Sequence, residues 1–309
     1  MNNKTKTNGK PEVIRFTDTD EPLDIRYDNI FKAVFTRDTP ASKTAISGLI
    51  SALIQRKVNV QTIVANEPPV NNVFDRRIRF DIACKAESGE LINIEMSFCP
   101  ESHEPVRLEY YASRQFSGQG IQGIEMDYSD LAETYQISII GERKFFPDDI
   151  LVHTFQYYDP EHSIPLKGKS RIITMELQKA EYLINKPTRE MDSSEMWSIF
   201  FKYLTNKSKR EKINEILERE GEIAMAADTL IHISRDEIEQ ARLTTELKNI
   251  LDYQSGMVSA KREGRAEGHK EGRLEEKLKI AQKMKSAGRS IVEIEEFTGL
   301  SSDVIQQIS

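Results

Sequence analysis

Residues 77–97, RIRFDIACKAESGELINIEMS, alternate apolar and polar side chains twice around a polar turn that contains a glycine. Two runs of period two separated by such a turn constrain the chain to an antiparallel hairpin. In the first run Ile78, Phe80, Ile82 and Cys84 point one way, and Arg79, Asp81, Ala83 and Lys85 the other. In the second, Ile92, Ile94, Met96 and Phe98 alternate with Asn93, Glu95 and Ser97. Each strand therefore carries one carboxylate near its middle.

The turn decides whether Asp81 and Glu95 meet. A two-residue Ser88-Gly89 turn sets Asp81 opposite Met96 and breaks the facing of the apolar rows. A three-residue loop from Glu87 to Gly89, with Gly89 left-handed, sets Ala86 opposite Glu90 and Asp81 opposite Glu95. The bulged turn is the predicted one. Directly opposed side chains stand roughly 5 Å apart at their β-carbons, where like charges repel unless compensated. A divalent cation would compensate, because carboxylate oxygens are hard ligands suited to Mg²⁺ or Mn²⁺. A hairpin with one wet face carries the same alternation, so spacing alone leaves both readings open.

Length and charge narrow the classes. The chain has 309 residues, enough for one large or two ordinary domains. A net charge of -7 argues against a uniformly basic nucleic-acid coat and leaves room for a local basic patch. The two cysteines, Cys84 and Cys99, form no CxxC pair, and Cys84 reads as a buried thiol. No apolar run approaches a membrane span, and the amino-terminal residues have no hydrophobic segment, so a cytoplasmic setting is expected.

Along the chain, residues 1–20 are polar and expected to be a flexible tail. Ile30, Phe31, Val34 and Phe35 recur at helical spacing with Asp28 at the start, and Lys32 reads as a surface lysine. A second helix follows from Thr44, with a broad apolar stripe from Ile46 to Ile54. Strands are expected at 58–64, 134–140, 150–158 and 171–177. Between the hairpin and the second of these, Val106, Tyr110, Ser113 and Phe116 or Ser117 line one face of a helix, flanked by Arg107, Tyr111, Arg114 and Gln115. Arg107, Tyr111 and Gln119 are candidates for phosphate or substrate binding, because arginine makes bidentate contacts with phosphate. Pairing of Arg107 or Arg114 with Glu104 or Glu109 is the competing reading. The elements make a mixed α/β or α+β core over 21–185.

Beyond it the sequence turns helical. Residues 186–256 hold the only tryptophan, Trp197, in an aromatic packing helix, followed by a long run of good helix formers. Residues 257–309 begin with Gly264, Gly268 and Gly272 spaced four apart, which suits either a close helix–helix contact for self-association or a charged linker. A small helical module closes the chain, with Ile291, Ile294 and Phe297 in one helix and Ser301 or Ser302 capping another. The five histidines are scattered with no zinc spacing, and Asp148 and Glu176 lack the context of a third acid in an RNase-H-type site.

Taken together, FKAVF preceded by Asp28, the FDIACKAESGELINIEMS hairpin, RLEYYASRQFSGQGIQGIEMDY, MELQK, the Trp197 helix, the EGR/EGH repeats and MKSAGRSIVEIEEFTGLS resemble the PD-(D/E)XK nuclease family transposases, relatives of the bacterial recombination-promoting nucleases. The resemblance implies a restriction-endonuclease-like core, a mixed central sheet flanked by helices, followed by a helical carboxyl-terminal region. It also implies metal-dependent hydrolysis of DNA with Mg²⁺ or Mn²⁺; homo-oligomers through the helical region are the expectation from the glycine stripe. By position it assigns the metal-binding acids to Asp81 and Glu95, with Asp28 completing the site, and polar substrate contacts to Arg107, Tyr111 and Gln119. At the position two after the glutamate, where the family carries Lys or often Gln, this chain has Ser97, which does less to orient or activate water. Lys85 is a candidate substitute from the neighbouring strand. A catalytically degenerate member that binds DNA or serves as an oligomeric scaffold is the alternative.

Overall fold

A computed structural model describes residues 14–64, 82–98, 102–120 and 127–308. The chain begins with helices α1 (Asp28–Phe35) and α2 (Pro40–Ile54), then strands β1 (Val60–Val64), β2 (Ile82–Ala86) and β3 (Leu91–Ser97), and helix α3 (Glu104–Ser117). Strands β4 (Thr134–Ile140), β5 (Val152–Phe155), β6 (Tyr158–Asp159), β7 (Ile164–Pro165) and β8 (Ser170–Glu176) follow. Helices α4 (Ser193–Tyr203), α5 (Arg210–Arg219), α6 (Gly221–Arg235), α7 (Glu237–Ser286), α8 (Ile291–Thr298) and α9 (Ser302–Gln307) complete the chain.

Six strands form a mixed sheet in the order β1-β2-β3-β4-β8-β5. The central β3, β4 and β8 run parallel to one another, while β1 and β2 on one side and β5 on the other are antiparallel to their neighbours. Every residue of β4 is buried, and in β3 all but the two ends are. Helices cover both faces, so the hairpin has no wet face at β3, contrary to the simpler reading of its alternation. The fold is mixed α/β with a central sheet and flanking helices. The expected strand at 150–158 stops at Phe155, and Tyr158 joins β7 in a separate two-stranded hairpin.

Helix α1 packs on β3, and its amino-terminal neighbour Tyr27 meets Phe98 at 5.0 Å between ring centroids. Helix α2 opens with Thr39 capping Ser42 N and Pro40 in the first turn, earlier than Thr44. Its flank is covered by α6, and Phe31 and Phe35 of α1 meet Trp197 and Phe201 of α4 in one aromatic core. Helix α3 lies over β4 and β8, but not on the expected face. Val106 and Tyr110 are 68% and 51% exposed, whereas Glu104, Leu108 and Ala112 are buried.

Two compact units divide between Thr244 and Thr245, inside α7. The carboxyl-terminal unit has its own core of Ala281, Ile294, Leu300 and Ile305. Ser290 and Glu293 cap α8 reciprocally, Gly299 ends it at φ 64°, and Lys285 Nζ donates to the carbonyls of Ile305, Gln306 and Ile308 at 3.1, 3.0 and 2.6 Å. Phe297 is 75% exposed. The glycine tract lies within α7 and is helix, not linker; a β-carbon at Gly268 or Gly272 would meet nothing within 4 Å among the described residues. No helix among the described residues is long and apolar enough to cross a membrane.

Candidate active site

The hairpin forms with the predicted bulged turn. Ala86 N donates to Glu90 O at 2.9 Å, Gly89 N donates to Ala86 O at 3.0 Å, and Gly89 has φ 100°. Ile82 pairs with Ile94, Ala83 with Asn93, Cys84 with Ile92 and Lys85 with Leu91. Asp81 precedes Ile82 and lies outside the described residues, so the site is described from Glu95. Cys84 is buried, and burial pushes its thiol up to about 12, disfavouring the thiolate.

Glu95 sits on β3 and is 2% exposed. A buried carboxylate needs a cation or several donors, and α3 supplies Arg107. Its Nη2 donates to Glu95 Oε1 at 2.9 Å and to Glu104 Oε1 at 2.7 Å, while Nε donates to Glu104 Oε2 at 3.0 Å. Ser97 Oγ donates to Glu104 Oε1 at 3.3 Å. The guanidinium stands over the Tyr111 ring at 5.1 Å, and Tyr111 packs against Ala83 of β2. Burial alone would lower the Arg107 pKa; the hydrogen bond it donates to Glu104 and the charges of Glu95 and Glu104 outweigh it and raise the guanidinium above its ordinary value.

Glu95, Ser97, Arg107 and Tyr111 are thus brought together, with Arg107 also paired to Glu104 as the competing reading had it. Glu104 is the residue the sequence reading undervalued. It entered only as a possible partner of arginine, yet it is 3% exposed and touches both Arg107 and Ser97. Its signal was local: an acid in the first turn of a helix, three residues before an arginine, where i,i+3 side chains share a stripe.

The other candidates stand elsewhere. Gln119 uses its amide on the backbone of Ala132, donating to O at 3.1 Å and accepting from N at 2.8 Å, so it serves a backbone contact. Lys85 is exposed and lies opposite Leu91, four residues before Glu95, a separation of about 13 Å along a strand. Asp28 accepts from Lys32 Nζ at 2.8 Å, and its Oδ1 is buried without a hydrogen-bond partner among the described residues. The described residues hold no group of three or more His, Cys, Asp or Glu side chains placed for a metal.

Next to the cluster, Gly141 follows β4. Its N–H donates to Ser97 O at 2.9 Å, and a β-carbon there would stand 2.7 Å from the Phe98 carbonyl oxygen. The loop that Gly141 opens is tied down by a second ionic cluster. Lys179 is 1% exposed, with Nζ 2.5 Å from Glu176 Oε2, 2.8 Å from Asp148 Oδ1 and 3.0 Å from Ile150 O. The Lys179 ammonium holds the Asp148 carboxyl at about 2, below the usual carboxylate range.

Comparison with known proteins gives one family match. The sequence profile described as PD-(D/E)XK nuclease family transposase matches residues 25–260. Searches of curated proteins and of solved structures gave no match.

Proposed function

Because the chain belongs to the PD-(D/E)XK nuclease family transposases, we propose that it is a metal-dependent endonuclease that hydrolyses DNA phosphodiesters at the Glu95 cluster. The observation that carries this reading is a buried carboxylate on a central strand of a mixed sheet, sharing one guanidinium with a second buried carboxylate. Asp81 and Glu95 would hold a divalent ion, with Asp28 as a further donor. The donor set fits: the acids offer hard oxygens suited to Mg²⁺ or Mn²⁺, and the orphaned Asp28 Oδ1 is an acceptor that a cation would satisfy. When bound, such an ion polarises the phosphate and lowers the pKa of a coordinated water.

The chain's own residues supply the rest. Arg107, with one third of its side chain exposed, steadies the phosphate charge, and Tyr111 holds the guanidinium plane from behind. Glu104 keeps Arg107 aligned, and Ser97 spends its hydroxyl on Glu104. That last contact favours a second reading, a degenerate member that binds DNA or partners without cutting. Here the serine that replaces lysine or glutamine is engaged in structure and offers no proton relay.

Purified protein incubated with plasmid DNA and Mg²⁺ or Mn²⁺, against a chelated control, separates the two. The nuclease reading expects nicking that needs the metal and falls at least roughly a hundredfold in Asp81→Asn and Glu95→Gln. Folded wild-type protein that cuts no substrate with either metal would leave the binding reading in its place.

A further inference from the structure

One polar row crosses the sheet beneath α3. Glu95 is registered with Ser138 on β4, Ser138 with Thr174 on β8, and Thr174 with His153 on β5. Ser138 Oγ, Thr174 Oγ1 and His153 Nδ1 are each buried without a hydrogen-bond partner among the described residues. Buried hydroxyls are normally satisfied, so a Thr174 hydroxyl with no partner among the described residues invites one from a ligand.

Thr174, alone of that row, lines a cavity of about 270 Å³. Thr174, only 2% exposed, lies on its floor. Leu108, Phe145, Phe146, Phe155 and Tyr157 form its walls, with Phe155 and Tyr157 partly open to solvent. Glu104 lines it too, so the cavity and the Glu95–Arg107 cluster share a side chain. Its volume falls just below the roughly 300–1,000 Å³ of pockets that enclose drug-sized ligands, the scale of a single ring system. Its lining has two charged residues, Glu104 and Glu109, both acidic. Acidic walls repel a phosphate and accept from amino groups, while the aromatic walls suit a flat ring.

We propose that this cavity receives a nucleobase of the DNA strand whose phosphate lies at the Glu95–Arg107 cluster, with Thr174 meeting the polar edge of the base. The inference rests on the nuclease reading for the strand and on the cavity for the base. Single-stranded or locally unpaired DNA is then the preferred substrate, because a base must leave its stack to enter.

The test is binding, measured by fluorescence anisotropy in chelator so that nothing is cut, of a short single-stranded oligonucleotide and its fully abasic counterpart. Wild type should prefer the intact strand by roughly five- to 150-fold, the range of base–aromatic stacking. Phe155→Ala, at a partly exposed position, and Leu108→Trp, which fills the cavity, should cut that preference by at least half while leaving abasic binding unchanged. Thr174→Val should reduce it with Trp197 emission unaltered. No preference in wild type, or a preference that survives both Phe155→Ala and Leu108→Trp, overturns the base site and assigns the orphan hydroxyls to water. Base preference in a protein that never cuts would sink the nuclease reading and leave the pocket standing.

Discussion

Arg107 is the residue on which the site turns. Its removal leaves Glu95 and Glu104 buried with their shared cation gone, and breaking a buried pair costs far more than losing a surface one. Arg107→Ala should destabilise the protein by about 2–4 kcal/mol in chemical denaturation, the lower part of the usual range because the guanidinium is 32% exposed. Mg²⁺ should recover part of the loss. At this scale the sequence was legible where period two applied. The register that sets Ile82 against Ile94 follows from one glycine able to take a positive φ. It was not legible where a charge is buried: nothing in the spacing of Glu104 says that it points inward, because only the tertiary meeting with Ser97 and Arg107 makes that position tolerable.

At the scale of elements, the segment between β4 and β5 is held by Lys179 clamping Asp148, the Ile150 carbonyl and Glu176, whose Oε1 also accepts from Phe145 N and Phe146 N. Asp148 titrates at about 2 when folded and near its ordinary value of 3.8 when unfolded. The stability it contributes is therefore fully present above about pH 4 and is lost as pH falls towards 2. Urea denaturation of wild type and Asp148→Asn should differ above pH 4 and converge at about pH 2; a constant difference would place the effect elsewhere. Strands β4 and β8 could be read from their apolar runs because burial on both faces leaves little else possible. The inner face of α3 could not, because its buried row mixes Glu104 with Leu108 and Ala112 while Val106 and Tyr110 face solvent.

For the whole molecule, the two units hold separate cores. Trp197, the single tryptophan, lies fully buried in the amino-terminal one and reports on it alone. Ile294→Asp should abolish the cooperative melting of the carboxyl-terminal module in circular dichroism and leave the midpoint of the Trp197 fluorescence transition in place. Gly141 carries a different lesson. With a peptide oxygen 2.7 Å from where a side chain would begin, it admits no other residue without displacing the end of β3 beside Ser97. In an alignment of relatives such a position would stand out as strongly as an acid of the active site. Invariance there would record a steric toll on the backbone, and a search for chemistry guided by invariance alone would be led to an atom that does none.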